Sequence, residues 1–236
     1  MPRPDLTPRE RLILALDLPT VGDAEAMIAA LGERVGVYKI GLQLLFAGGA
    51  DLAARLADEG HDIFVDAKLL DIDNTVASAV VNIEKLGARF LTIHAYPQTM
   101  RAAVGALRGT TLNLLGVSVL TSMDDADLAA AGYEGSVQQR VMARARDAKV
   151  SGMAGVVASP AEAEELRDAV GEDLILVSPG IRPKGAELAD QKRSATPSEA
   201  IRAGADYLVV GRPILEAADP SGAADAIVDE IAAATA

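Results

Sequence analysis

The chain has 236 residues, half of them apolar, no cysteine, and a formal net charge of -12. That length holds one large α/β barrel or two small domains, and the lack of thiols excludes a disulfide framework and any thiolate metal or redox site. The acidic balance argues against nucleic acid and anionic membranes as partners, because like charges repel, yet it leaves room for a small phosphorylated ligand in a local basic pocket.

From Met1 to Leu12 the chain is polar and proline-bearing, without the basic start and apolar core of a signal peptide. No apolar run reaches the roughly 20 residues of a membrane span. The expectation is a soluble, cytoplasmic protein. The first apolar run, Leu12–Asp17, reads as a short strand ending on a carboxylate, and Asp23–Leu31 follows as an alanine-rich amphipathic helix stopped at Gly32. Val37–Gly41 is the second strand, with Lys39 between Tyr38 and Ile40, and Ala50–Glu59, closed by Gly60, is its helix. The third strand, Asp62–Asp66, is followed by the helix Thr75–Leu86, which closes at Gly87; the fourth, Phe90–His94, by Gln98–Leu107. Leu112–Val119 is the fifth strand, and the longer gap before the sixth, Gly155–Ala158, holds Val137–Lys149 and an extra helix. Pro160–Ala169 leads to the seventh strand, Leu174–Ser178, and the eighth is Tyr207–Gly211.

Strand-then-helix repeated eight times is the pattern of an α/β fold of the (β/α)8 barrel type, which typically takes about 250 residues. Residues 1–236 are read as one such domain, with no break in composition to mark a second. A doubly wound open sheet is the structural alternative. It would show fewer strands and a glycine fingerprint after the first, whereas here the first strand runs into Asp17-Leu18-Pro19. The stretch Gly180–Thr196 is polar, breaks periodicity and follows the seventh strand. It reads as a mobile loop, and in barrels the loop after strand seven often belongs to a phosphate site.

Two constellations carry chemistry. In Val65-Asp66-Ala67-Lys68-Leu69-Leu70-Asp71-Ile72-Asp73-Asn74-Thr75, three ionisable residues, Asp66, Lys68 and Asp71, occur where a barrel strand runs into its loop. Positions i and i+2 of a strand share a face, so Asp66 and Lys68 point the same way. Burying two charges side by side costs several kcal/mol unless they are paired, so folding alone gives little reason to place them there. Asp17, Lys39 and His94 also lie on or at the ends of strands, and strand ends meet at one face of a barrel. A rim charge is the bland reading for any one of them, and a lone strand-end histidine such as His94 is as well explained by packing as by catalysis. The second constellation is Val209-Val210-Gly211-Arg212-Pro213-Ile214, a strand ending at glycine, then arginine, then a proline that opens a helix. Glycine permits close backbone approach, helix-start N–H groups attract anions, and the arginine fork suits a phosphate. With Arg182 and Gln191 in the preceding loop it reads as a phosphate grip; an arginine packed on its own helix is the alternative.

These pieces together resemble the orotidine 5'-phosphate decarboxylase family, bacterial type, along almost the whole chain. The matching segments are Leu14-Ala15-Leu16-Asp17, Tyr38-Lys39-Ile40-Gly41, Asp66-x-Lys68-x-x-Asp71-Ile72-x-Asn74-Thr75, Val119-Leu120-Thr121-Ser122, Ser178-Pro179-Gly180-Ile181-Arg182-Pro183, Asp190-Gln191-x-Arg193 and Val210-Gly211-Arg212-Pro213-Ile214. No one segment is decisive, but all of them in one order are specific. Leu70 stands where many relatives carry His, and Asp73 where many carry Pro; neither position is one the family uses for chemistry.

The resemblance implies decarboxylation of orotidine 5'-monophosphate to UMP, with neither cofactor nor metal. It implies that Lys39, Asp66, Lys68 and Asp71 form an alternating catalytic array in which Asp66 lies beside the substrate carboxylate and Lys68 protonates C6. It further implies that Asp17 and Lys39 hold ribose hydroxyls, that Thr121 with Ser122 binds the pyrimidine, and that Arg182, Gln191, Gly211 and Arg212 hold the phosphate. Asp71, Ile72 and Thr75 would reach into a neighbouring subunit's site, so that the enzyme works as a homodimer. Sugar-phosphate lyases and decarboxylases on the same barrel share Asp-x-Lys-x-x-Asp but hold magnesium partly through a Glu on strand two, where this chain has Lys39. A non-catalytic phosphate-ligand binder is a further alternative, for which the charge array would have no use.

Overall fold

A parallel strand buried on both faces needs a helix on one side and packed side chains on the other. This chain meets the demand by closing its sheet. The structure, a computed structural model, describes residues 5–109, 111–183 and 194–235. In chain order the elements are β1 (Leu12–Ala15), α1 (Val21–Leu31), β2 (Val37–Gly41), α2 (Leu42–Leu44), α3 (Ala50–Asp58), β3 (Asp62–Leu69), α4 (Asp73–Glu84), β4 (Phe90–His94), α5 (Pro97–Ala106), β5 (Asn113–Val117), α6 (Asp125–Ala130), α7 (Val137–Val150), β6 (Gly155–Val157), α8 (Ala163–Val170), β7 (Ile175–Ser178), α9 (Pro197–Arg202), β8 (Tyr207–Val210), α10 (Arg212–Leu215) and α11 (Pro220–Thr235). The strands pair in parallel in sequence order, and β8 returns to β1, so the sheet is a closed (β/α)8 barrel. The extra helix expected between the fifth and sixth strands is α6.

The helices start and stop where local chemistry says they should. Thr20, Asp124, Ser136 and Thr196 cap α1, α6, α7 and α9 by accepting a hydrogen bond from the third residue on. At the end of α3, Gly60 takes φ 91°, which lets His61 N–H reach back to the Leu56 carbonyl. The strands are mostly shorter than the apolar runs that announce them, because pairing stops before apolarity does. β2 and β4 keep their expected bounds, and β3 continues past Asp66 to Leu69. Pro160–Glu162 forms a separate 3-10 turn ahead of α8.

Strand alternation sends two sets of side chains in opposite directions. One set packs between sheet and helices in a continuous core that includes Leu12, Leu14, Tyr38, Ile40, Ile63, Val65, Leu91 and Leu208. The other fills the barrel: Ile13, Val37, Phe64, Phe90, Leu115, Val177, Tyr207 and Val209. Phe90 meets Phe64 and Tyr207 edge to face, with centroids 5.9 and 5.1 Å apart. Arg89 closes that end of the barrel. Its guanidinium lies 5.2 Å from the Phe90 ring and 5.8 Å from that of Tyr207, donates to the Tyr207 hydroxyl at 2.8 Å, and pairs with Asp62. Burial pushes the Tyr207 phenol up to about 12. No helix among the described residues is long and apolar enough to cross a membrane.

Candidate active site

Directly beyond the apolar filling, at the C-terminal end of the strands, the inward positions turn polar. Lys39 follows Val37 on β2, Asp66 follows Phe64 on β3, and Thr92 follows Phe90 on β4. Lys39, Asp66 and Thr92 are buried, at 7%, 9% and 1% exposure. Asp66 sits between two ammonium groups: its Oδ2 is 3.3 Å from Lys39 Nζ and its Oδ1 is 2.8 Å from Lys68 Nζ. Lys39 Nζ also donates to Asp17 Oδ1 at 3.1 Å. The charges thus alternate across β1, β2 and β3, and no buried carboxylate is left without a counter-charge in this row. Burial pushes the Asp66 carboxyl up, but Lys39, Lys68 and hydrogen bonds from Lys68 and Thr92 outweigh it and leave the group below its ordinary value.

Two further groups shape the row. A Cβ at Gly41 would lie 2.9 Å from Asp17 Oδ1 and 3.0 Å from Lys39 Nζ, so the Asp17–Lys39 pair spans space that only glycine leaves open. The Thr92 hydroxyl accepts from Lys68 N–H at 3.0 Å and donates to Asp66 Oδ1 at 2.8 Å. His94, the next inward residue on β4, is pushed down from its ordinary value by burial and by the positive charges of Arg144 and Lys68, which keeps its imidazole neutral near pH 7.

These residues open into a cavity of about 680 Å3. Its lining combines an apolar set (Ala15, Phe64, Val117, Val157, Val209), the charged row Asp17, Lys39, Asp66 and Lys68, the group Gly180, Arg182, Gly211 and Arg212 that follows β7 and β8, and Leu120 and Thr121 after β5. Arg182 is buried and anchored by donating to the Ile181 carbonyl at 2.8 Å. A Cβ at Gly211 would meet only Ala15, at ordinary contact distance, so crowding by the rest of the protein does not account for the glycine.

The cavity therefore gathers Asp17, Lys39, Asp66, Lys68, Thr121, Arg182, Gly211 and Arg212. Ser122 is exposed and outside its lining. Asp71, Ile72 and Thr75 are also exposed and stand apart from it. Asp71 accepts from Ile72 N–H at 2.6 Å and lines a separate surface depression with Leu70, Tyr96 and Pro97. Gln191, Arg193 and most of the expected loop at 180–196 lie outside the described residues. Thr92 and Gly41 were not singled out by the sequence reading; strand parity was the available signal, since Phe90, Thr92 and His94 alternate inward as Val37, Lys39 and Gly41 do.

A model of the "Orotidine 5'-phosphate decarboxylase / HUMPS family" matches residues 10–227. The chain is 58% identical over 235 residues to an orotidine 5'-phosphate decarboxylase of Rhodopseudomonas palustris (strain BisB5), covering 100% of both chains. It is 59% identical over 227 residues to that of Afipia carboxidovorans, covering 96% of this chain and 97% of the other. Among solved structures it is similar to the crystal structure of orotidine 5'-phosphate decarboxylase from Lactobacillus acidophilus, at 34% identity and a TM-score of 0.83, covering 93% and 98% of the two chains.

Proposed function

The chain belongs to the orotidine 5'-phosphate decarboxylase / HUMPS family, and from that membership we propose that it converts orotidine 5'-monophosphate to UMP and carbon dioxide, the last step of pyrimidine nucleotide synthesis. The observation that carries the reading is the Asp17–Lys39–Asp66–Lys68 row and two arginines lining one cavity. A nucleoside monophosphate has a matching layout, with an anionic phosphate at one end, ribose hydroxyls between, and a reacting ring at the other.

The phosphate lies with Arg182, Arg212 and the Gly211 backbone, the ribose hydroxyls with Asp17 and Lys39, and the pyrimidine edge with Thr121. C6 and its carboxylate then fall beside Asp66 and Lys68. Two anions brought together in a water-poor pocket repel, and the repulsion is relieved as the carbon–carbon bond breaks. The electron pair stays on C6, where resonance offers little relief, and the Lys68 ammonium stabilises it before transferring its proton to C6. Lys68 recovers a proton from solvent, so the balance is substrate plus one proton giving UMP and carbon dioxide. The chemistry uses side chains alone.

Related sugar-phosphate enzymes on the same barrel hold magnesium partly through a strand-two carboxylate. Here the Lys39 ammonium lies between Asp17 and Asp66, within 3.1 and 3.3 Å, so the place of a metal ligand is taken by a cation. The same proposal includes a homodimer in which Asp71, Ile72 and Thr75 complete the partner's site. Leu70 and Ile72, 53% and 71% exposed beside Asp71, support it as apolar surface that gains by being covered. It places the enzyme in the cytoplasm, in keeping with a soluble biosynthetic role.

The test is an absorbance assay with orotidine 5'-monophosphate, with and without a metal chelator. Conversion to UMP that ignores the chelator is the expected result. No conversion by correctly folded protein overturns the proposal, and metal-rescued activity on a sugar phosphate moves the chain to the other side of its family.

A further inference from the structure

Between β3 and β4 the ladder slips. Val65 pairs with Leu91 and Leu69 pairs with Ile93, so Asp66, Ala67 and Lys68 stand opposite Thr92 alone. Surplus residues on one strand of a pair lose their ladder partners and bend the chain locally. The bend is visible at Lys68, the one non-glycine residue with positive φ among the described residues, at 49°. Side chains seldom adopt that conformation, and it persists where the surroundings over-determine it. Thr92 supplies the determination. Its hydroxyl accepts the Lys68 N–H where the slipped ladder gives Lys68 no register partner on β4, and with its own hydrogen it holds the same Asp66 oxygen that pairs with Lys68 Nζ. One buried oxygen thus ties backbone and side chain of the segment into a closed ring. The neighbours of Thr92 along its strand, Phe90, Leu91 and Ile93, are apolar, so packing alone gives no reason for a hydroxyl there.

We propose that Thr92 is a positioning residue for the reaction: its hydroxyl fixes the strained Lys68 backbone and the Asp66 carboxylate as one unit, and so sets where the Lys68 ammonium stands relative to the carboxylate. The proposal rests on the decarboxylase reading above. Thr92 acts through its neighbours, so its removal disturbs turnover more than binding.

The experiment compares wild type with Thr92→Val, which keeps the shape and deletes the hydroxyl, and with Thr92→Ser, which keeps the hydroxyl and deletes the methyl. Steady-state decarboxylation, UMP binding and thermal melting are measured on each. The expected result is a loss in kcat on the order of 10²-fold for Thr92→Val, as a small misplacement of a reacting group produces. KM and UMP affinity should change little, and Thr92→Ser should recover most of the loss. Unchanged kcat in Thr92→Val, a defect confined to KM, or a Thr92→Ser as impaired as Thr92→Val would each overturn the proposal. If Thr92→Val fails to fold, Thr92→Ala read against Thr92→Ser gives the same split, and full kcat in Thr92→Ala overturns it. Failure of the decarboxylase reading shows instead in the wild type, which would then not turn over at all.

Discussion

Lys68 meets two demands at one position: its ammonium must pair with Asp66 before substrate arrives and reach C6 afterwards. With its backbone at φ 49°, Lys68 holds its ammonium 2.8 Å from the Asp66 carboxylate. Lys68→Ala should fold and still bind UMP while losing nearly all turnover; a substantial residual kcat would remove Lys68 from its assigned role. Asp66 makes a pH prediction. Its folded pKa lies below the ordinary 3.8, so the unfolded chain takes the proton first. The stability it contributes is fully present above the ordinary carboxylate range and is lost as pH falls through 3.8 toward the folded value. The unfolding free energy from denaturant melts should fall more steeply with pH across that window in wild type than in Asp66→Asn, and parallel pH profiles would contradict the assignment. Gly41→Ala tests the close approach. Its methyl would press on the ends of two side chains, not on backbone, so the fold should stand while the Asp17–Lys39 pair is pushed aside. Titration should then show UMP binding about tenfold weaker, equivalent to about 1.4 kcal/mol.

Two strand exits at the cavity end of the barrel are tied together by α7. Arg144, on that helix, stacks 4.8 Å from the Tyr96 ring and 5.5 Å from the Tyr133 ring, and it donates to the Ser118 carbonyl just past β5. It therefore joins the exits of β4 and β5, the second of which leads to Thr121. Arg144→Leu keeps much of the packing but leaves the Ser118 carbonyl without that donor, so urea unfolding should show a loss of about 1.5–3 kcal/mol, the usual range for a hydrogen bond to a charged group. Equal midpoints for variant and wild type would show that the contact is incidental. This linkage was invisible in the sequence, since Tyr96, Ser118, Tyr133 and Arg144 share no motif and meet only through the packing of helices. The barrel itself was legible, because strand and helix periods alternate cleanly and glycines such as Gly60 punctuate the helix ends. So were Lys39, Asp66 and Lys68, charges set where apolar residues would serve folding better. The register slip opposite Thr92 was not, since pairing between strands leaves no trace in either strand read alone. The helices α9 and α11 were not singled out either: the first is a short turn of chain after a polar stretch, and the alanines of the second weaken its apolar stripe.

For the molecule as a whole, Asp71, Ile72 and Thr75 on the outside and Lys39, Asp66 and Lys68 on the inside make a single chain half of a site under the dimer proposal. Mixing inactive Lys68→Ala and Asp71→Ala proteins under conditions that exchange subunits should regenerate activity, since one site of each hybrid carries neither change. No recovery from subunits shown to exchange would contradict a shared site. The opposite end of the barrel has its own signature. Tyr207 is neutral up to about pH 12 when folded but ionises near 10 when released, so its stabilisation is intact below 10 and drains away as pH rises toward 12. The Phe64–Phe90–Tyr207 stack under Arg89 does more than hold the strands together. A tube stoppered at one end is a well, and traffic in a well is last in, first out. Under the decarboxylase proposal, substrate comes in and both products go out by the one open mouth. Carbon dioxide then departs by slipping past a bound UMP or by following it out, with no way through the packed end.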